Sequence, residues 1–185
     1  MQCFVSYILL LLLFFLWQLS TSKGCIAGNL SYVEEDGTKI NCTCSTSAAV
    51  SSNVEGMRNL ITDAKFILIV EKDATFQRLL DDDFCNTMSP CIIITGKGVP
   101  DVNTRLLVRK LWDTCHVPIF ALVDADPHGI EIMCIYKYGS RYFPLQLDIM
   151  ATSQMKAEIQ ALNSFSSDYL SRVYLPNKLQ FGGWI

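Results

Sequence analysis

Two short apolar runs, each ending abruptly in acid, constrain this chain more than anything else in it. The first is Phe66-Ile67-Leu68-Ile69-Val70, which ends in Glu71-Lys72-Asp73. The second is Ile119-Phe120-Ala121-Leu122-Val123, which ends in Asp124-Ala125-Asp126-Pro127-His128-Gly129. Both are aliphatic or β-branched and neither alternates with polar residues. Such runs are strands buried on both faces of a parallel sheet. In open α/β sheets, sites form where strands reach their carboxyl ends. Glu71, Asp124 and Asp126 are therefore expected to converge on one point. Asp124 and Asp126, two residues apart, face the same way if the strand continues between them. Three carboxylates repel one another unless a hard cation lies among them. Mg2+ suits such oxygen ligands, keeps several waters and takes one or two carboxylates directly.

The stretch between these runs alternates strand and helix signals. Ile92-Ile93-Ile94-Thr95 reads as a further strand, followed by Gly96-Lys97-Gly98. The spacing of a nucleotide-binding phosphate loop is absent, so no nucleotide is expected there. Two glycines around Lys97 permit close approach of backbone to a phosphate, and a tight strand-to-helix turn explains them equally well. Lys97 and His128 are candidate phosphate or DNA contacts; for His128 the alternative is a loop-fixing hydrogen bond. Asp73 is expected to cap a helix to about Leu80, with Asp81-Asp82-Asp83 as its solvated end. Asp101 is expected to cap a helix to about Cys115, with Leu107, Leu111 and Trp112 inward and Arg105, Arg109 and Lys110 on its solvated face. Gly129 opens a helix through Tyr138.

Upstream, Leu30–Val33 and Thr38–Ile40 flank Glu34-Glu35-Asp36-Gly37, a strong hairpin signal. Thr43 to Asn53 is rich in Ser, Thr and Ala and reads as a linker. Asn53 is placed to cap a helix from Val54 carrying Met57, Leu60 and Ile61 on one side. Phe4 to Trp17 is almost unbroken apolar sequence. It has the length of a signal-peptide core, falls short of a spanning helix, and lacks the usual basic residue ahead of it. The 8 cysteines form no pair of C-x-x-C knuckles and the chain has 2 histidines, so a structural zinc site is not expected. Several of the cysteines lie in or beside apolar runs, where a free thiol behaves as a small hydrophobe, and reduced thiols are the expectation. A formal net charge of −3 and a pI near 5.3 are not the balance of an autonomous nucleic-acid binder. Any contact with DNA is then local, metal-mediated or made with partner subunits.

A glutamate closing one strand and an Asp-x-Asp closing a later one resembles the Toprim domain. The strings Val70-Glu71-Lys72-Asp73-Ala74-Thr75-Phe76, Thr95-Gly96-Lys97-Gly98-Val99-Pro100-Asp101 and Asp124–Gly129 narrow this to the topoisomerase VI A-subunit family (type IIB). They resemble most its eukaryotic branch, the meiotic transesterases that make programmed DNA double-strand breaks. Met155–Glu158 and Phe181–Ile185 also resemble the end of that family. The resemblance covers roughly Cys25 to Tyr138 and Met150 to Ile185, with a break around Arg141–Ile149. It implies a Rossmann-like Toprim α/β fold with a parallel sheet, partly truncated, and C-terminal helices. The implied organisation is a hydrophobic leader (1–24), a hairpin and linker (25–53), the Toprim domain (54–140) and a shortened helical region (141–185).

The resemblance implies that Glu71, Asp124 and Asp126 hold Mg2+ while a tyrosine oxygen attacks a DNA phosphodiester. The tyrosine becomes linked to the 5′ end and the 3′ oxygen leaves. In the family that tyrosine lies in a winged-helix domain upstream of Toprim, and no tyrosine here sits in its motif. No catalytic nucleophile is therefore assigned, and the chain alone is expected to be inactive. The implied partners are DNA, a second copy or full-length A-type subunit, and a topoisomerase VI B-like ATPase subunit. The implied location is the nucleus and chromosome; the apolar N-terminus conflicts with this and keeps a secretory or membrane location as the alternative. Two other readings fit parts of the sequence: a non-catalytic regulatory form that binds full-length subunits, and a secreted disulfide-bonded α/β protein. Asn29-Leu30-Ser31 and Asn41-Cys42-Thr43 match the glycosylation acceptor pattern that the last reading needs.

Overall fold

The computed structural model describes residues 22–43, 47–88, 90–139, 158–164 and 166–181. The expectations for Phe4–Trp17 and for Arg141–Ile149 lie outside the described residues. The apolar runs become strands β6 (Phe66–Val70), β7 (Cys91–Thr95) and β8 (Ile119–Leu122). All residues of β6 and β7 are buried. β6 lies between β7 and β8 and pairs in parallel with both, Val70 standing opposite Thr95 on one side and Leu122 on the other.

The sheet is wider than the parallel core. β1 (Cys25–Gly28) pairs antiparallel with β7, and β4 (Ala48–Ala49) pairs antiparallel with β1. The order is β4-β1-β7-β6-β8. The expected hairpin is present as β2 (Ser31–Val33) and β3 (Lys39–Asn41). Its third partner is β5 (Arg58–Ile61), which pairs with β2. The helix expected from Val54 is therefore replaced by a turn and a strand. Met57 is buried as an inward residue should be, but Ile61 is 69% exposed. Within the stretch read as a linker, Ala48 and Ala49 extend the main sheet, and Val50 is buried.

Successive side chains of a strand point to opposite faces, so the sheet has two cores. On one face Ile26, Ile67, Ile69, Ile92 and Ile94 pack with Leu107 and Leu111 of α3 (Val102–Cys115) and with Tyr32, Val50, Val54 and Met57. On the other, Phe66, Leu68, Val70 and Ile93 pack with Phe76 and Leu79 of α1 (Asp73–Asp81), with Phe84 of α2 (Phe84–Thr87), and with Ile159, Leu170 and Leu175. Each fully buried aliphatic side chain contributes about 1.5–3 kcal/mol. Segment 25–57 thus shares its core with the strands downstream.

Three helix expectations change in detail. Asp101 caps α3 as expected, accepting from the Thr104 amide at 2.7 Å. Trp112, however, is 45% exposed, because the α3 stripe that meets the sheet runs through Leu107, Val108 and Leu111. Lys110 leaves the solvated face and donates to the carbonyls of Val54, Glu55 and Met57. Asp73 is the first residue of α1 rather than its cap; the cap position is Lys72, in an extended conformation. α4 (Pro127–Tyr138) begins after Asp126. A 3-10 segment (Ile159–Ser164), a π turn (Leu170–Tyr174) and α5 (Leu175–Phe181) close the described chain.

Candidate metal centre

The strand order fixes where a site belongs. β6 is followed by α1, which covers the face bearing Phe76. β8 is followed by α4, whose Tyr136 packs on the opposite face. Neighbouring strands that send their helices to opposite faces leave a crevice at their carboxyl ends. Glu71 and Asp124 stand there. The Glu71 amide continues the parallel ladder, donating to the Leu122 carbonyl at 3.0 Å. The Asp124 amide in turn donates to the Glu71 carboxylate, Oε2, at 2.8 Å. Glu71 is 6% exposed and Asp124 5% exposed. The Gly96-Lys97-Gly98 loop borders them, since the Gly98 amide donates to the Glu71 carbonyl at 2.9 Å. Lys97 and Gly98 both have positive φ there, 55° and 89°.

Both carboxylate oxygens of Asp124 are engaged. Oδ2 meets the Lys72 ammonium at 2.8 Å, and Oδ1 accepts from the Ile159 amide at 2.8 Å. Lys72 also donates to Oε1 of Gln160 at 2.7 Å and lies 4.0 Å from the Glu158 carboxylate. The hydrogen bond to Asp124, reinforced by the charges of Asp124, Glu158 and Glu71, holds the Lys72 ammonium above the ordinary lysine range despite some desolvation. The sequence alone assigns neither Lys72 nor the segment around Ile159 to the site. A lysine directly after the strand-ending glutamate was the available signal. The partners near Ile159 had none, because they reach the crevice from far along the chain.

The remaining sequence candidates sit around this pair. Asp126 turns its carboxylate to the N-terminus of α4, accepting from the Gly129 amide at 2.8 Å, because β8 has ended at Leu122 and the first helical amides need an acceptor. Gly129 is the residue that lets α4 begin so close: a Cβ there would stand 2.1 Å from the Asp124 carbonyl oxygen. The imidazole of His128 is exposed and faces Glu131 at 3.4 Å. The Lys97 ammonium pairs with Asp73 at 3.4 Å, on the same rim. Asp82 is no free helix end; it accepts from Arg78 and from the Ser171 hydroxyl.

The chemistry of the Glu71–Asp124 pair fits a hard divalent cation. Enclosed carboxylates are costly without compensating charge. Lys72 supplies one positive charge among Glu71, Asp124 and Glu158. The geometry is that of two carboxylates with a third acid engaged in capping. Among the described residues no three acidic, histidine or cysteine side chains form a ready ligand set for a metal ion. Two carboxylates and several waters are the ordinary complement for Mg2+. Cys25, Cys42, Cys91 and Cys115 are free thiols in buried or half-buried positions. No helix among the described residues is long and apolar enough to cross a membrane.

Comparison with known proteins places this geometry in context. The family model for the Toprim domain of the topoisomerase 6 A subunit and Spo11 matches the chain in two segments, residues 66–145 and 141–179. Meiotic recombination protein SPO11 of Homo sapiens is 58% identical over 226 aligned residues, covering 90% of this chain and 57% of the relative. The mouse protein of the same name is 57% identical with the same coverage. The DNA topoisomerase 6 A subunit of Arabidopsis thaliana is 33% identical, covering 90% of this chain and 53% of its own length. The chain thus spans little more than half the length of these relatives. The 226 aligned positions exceed the 185 residues of this chain, so within the aligned span the human protein carries residues with no counterpart here.

Proposed function

Because this chain belongs to the Toprim family of the topoisomerase 6 A subunit and Spo11, we propose that it is the Mg2+-binding Toprim part of a DNA-cleaving transesterase that forms the double-strand breaks initiating meiotic recombination. The observation that carries the reading is the enclosed Glu71–Asp124 pair at the carboxyl ends of adjacent parallel strands. Glu71 and Asp124 would hold the ion, with Asp126 beside them as the third acid. A bound Mg2+ would supply positive charge to a DNA phosphate as negative charge builds on it, and would favour departure of the 3′ oxygen. Glu71 fixes the main chain of Asp124 through its amide, so the two carboxylates keep their spacing as substrate arrives. Lys97, on the glycine-flanked loop, is the proposed contact to the DNA backbone, and His128 a second one at the start of α4.

The nucleophilic tyrosine is proposed to come from a second A-type protomer. Two phenols of this chain are poor candidates for it. Burial pushes the hydroxyls of Tyr32 and Tyr136 well above the ordinary tyrosine range, which makes the phenolate harder to form. A B-like ATPase subunit completes the proposed assembly, in the nucleus on chromosomes. A second reading is favoured by the residues of the human relative that have no counterpart within the aligned span: a regulatory form that binds full-length subunits without contributing a working site. Calorimetric titration of Mg2+ separates the two. We expect binding in the wild type and at least about tenfold weaker binding in Asp124→Asn and Glu71→Gln, the loss of a single charged ligand contact. Equal affinity in all three sinks the metal assignment. Co-purification with a full-length A-type protein that is indifferent to Glu71→Gln supports the regulatory reading.

A further inference from the structure

Three contacts tie residues Glu158–Gln160 to the acidic centre. The Ile159 amide donates to one oxygen of Asp124, while Lys72, paired with the other oxygen, donates to Gln160 and lies 4.0 Å from the Glu158 carboxylate. Ile159 is 5% exposed and packs in the same core as Phe76 and Leu122, so the segment is seated in the fold. We propose that the segment Glu158–Ser164 is an intramolecular plug on the acidic centre, latched by Lys72 standing in for the metal ion. This rests on the Mg2+ reading above for the identity of the competitor, but the latch itself does not.

The reasoning is one of shared ligands. A cation bound by Asp124 shares an oxygen that now serves Lys72 or Ile159. Lys72 is the partner with the like charge and is repelled by the incoming ion. Once Lys72 swings away, Gln160 loses its partner and Ile159 loses the neighbouring contact that holds Asp124 in place. While the plug is seated, the Glu158 carboxylate adds negative charge beside the crevice and opposes an approaching phosphate. Metal loading and plug opening are thus two faces of one equilibrium.

Hydrogen exchange of the whole chain, read by mass spectrometry over residues 158–164, tests this. In metal-free buffer, Lys72→Met and Gln160→Ala are expected to speed exchange there by about tenfold, the loss of one charge-assisted hydrogen bond. Lys72→Arg is expected to restore protection. Mg2+ is expected to speed exchange at the same residues in the wild type, and Lys72→Met is expected to bind Mg2+ more tightly than the wild type. Unchanged metal-free exchange in both latch variants overturns the plug. So does weaker Mg2+ binding by Lys72→Met with an unaltered unfolding transition. Gln160→Ala touches no core contact and guards against a variant that simply unfolds. If no form binds Mg2+, the metal reading fails while the metal-free arm still decides the latch.

Discussion

Replacing Lys110 by methionine keeps the aliphatic stem on α3 and removes a single ammonium. That ammonium donates to the carbonyls of Val54 at 2.7 Å, Glu55 at 3.0 Å and Met57 at 2.8 Å. These carbonyls belong to the turn ahead of β5, whose own bonds include one of 3.3 Å from the Met57 amide to the Val54 carbonyl and one of 3.1 Å from the Gly56 amide to Oδ1 of Asn53. Without Lys110 three carbonyls of the turn lose their charged donor. A hydrogen bond to a charged group contributes about 1.5–3 kcal/mol net. The three share one charge and the contact to Glu55 faces solvent, so simple addition overstates the effect. We expect a loss of about 2–3 kcal/mol, between one and two such bonds. Val54 and Met57 are each 3% exposed and sit in the core that contains Leu107 and Leu111, so loosening the turn reaches the main sheet. The assay is urea unfolding followed by far-UV circular dichroism, with the midpoint falling at unchanged slope. Lys110→Arg should recover only part of the loss, because a planar guanidinium cannot aim three donors at one converging set of carbonyls. A change below about 0.5 kcal/mol, the size of an ordinary surface substitution, would refute the reasoning and return Lys110 to the solvated face of the helix.

Two further outcomes follow from Asp101 and Gly129. Burial raises the Asp101 carboxyl, but hydrogen bonds from the Thr104 and Lys23 amides outweigh it and hold the group below the ordinary aspartate range. A lowered folded-state value gives stability that is present above the unfolded value near 4 and is lost as pH falls through the folded one. Asp101→Ala should therefore cost about 1 kcal/mol at neutral pH, and thermal unfolding should show the gap from wild type closing below about pH 4. A gap that persists at pH 2 would count against the charged cap. Gly129→Ala places a Cβ 2.1 Å from a main-chain oxygen of Asp124, and should cost about 1–3 kcal/mol through overpacking. Because the displaced residue is Asp124, Mg2+ affinity should fall with it; normal affinity in a destabilised Gly129→Ala would separate the helix start from the site.

The buried strands were legible because Phe66–Val70, Ile92–Thr95 and Ile119–Val123 are short, aliphatic, without alternation, and stopped by polar residues. The flanking strands were not. Cys25-Ile26-Ala27-Gly28 and Ala48-Ala49 have little strand character of their own and are strands because β7 offers β1 an edge. The failure at residues 54–61 has a clear cause. Met57, Leu60 and Ile61 repeat at a helical period, and periodicity is a weak prior when a sheet edge is nearby. β2 accepts Arg58–Ile61 as a partner, and Asn59 takes a positive φ of 51° where the pairing is irregular. Trp112 illustrates the reverse error. A large aromatic on a helix is expected inward, yet the α3 stripe facing the sheet has no place for it beside Leu107, Val108 and Leu111.

At the acidic centre, the part that could be read was the part the backbone dictates. Adjacent parallel strands in register bring the residues after Val70 and Leu122 together whatever their side chains. What each acid then does depends on competitors for its oxygens, and these come from elsewhere in the chain. Asp126 is claimed by the helix that follows it, a local competition whose signals, Pro127 at the first helical position and Gly129 two further on, are visible in the sequence. Asp124 is claimed by an amide 35 residues away, which no local rule announces. Lys72 lies between these cases. It is one residue from Glu71, yet it serves Asp124 and Gln160 instead. An ammonium after the strand-ending glutamate supplies positive charge to the centre, and on the proposed metal reading it would have to yield to an ion. The same residue offsets the repulsion between two enclosed carboxylates, and under the proposed reading it would set how tightly a divalent cation has to bind to replace it.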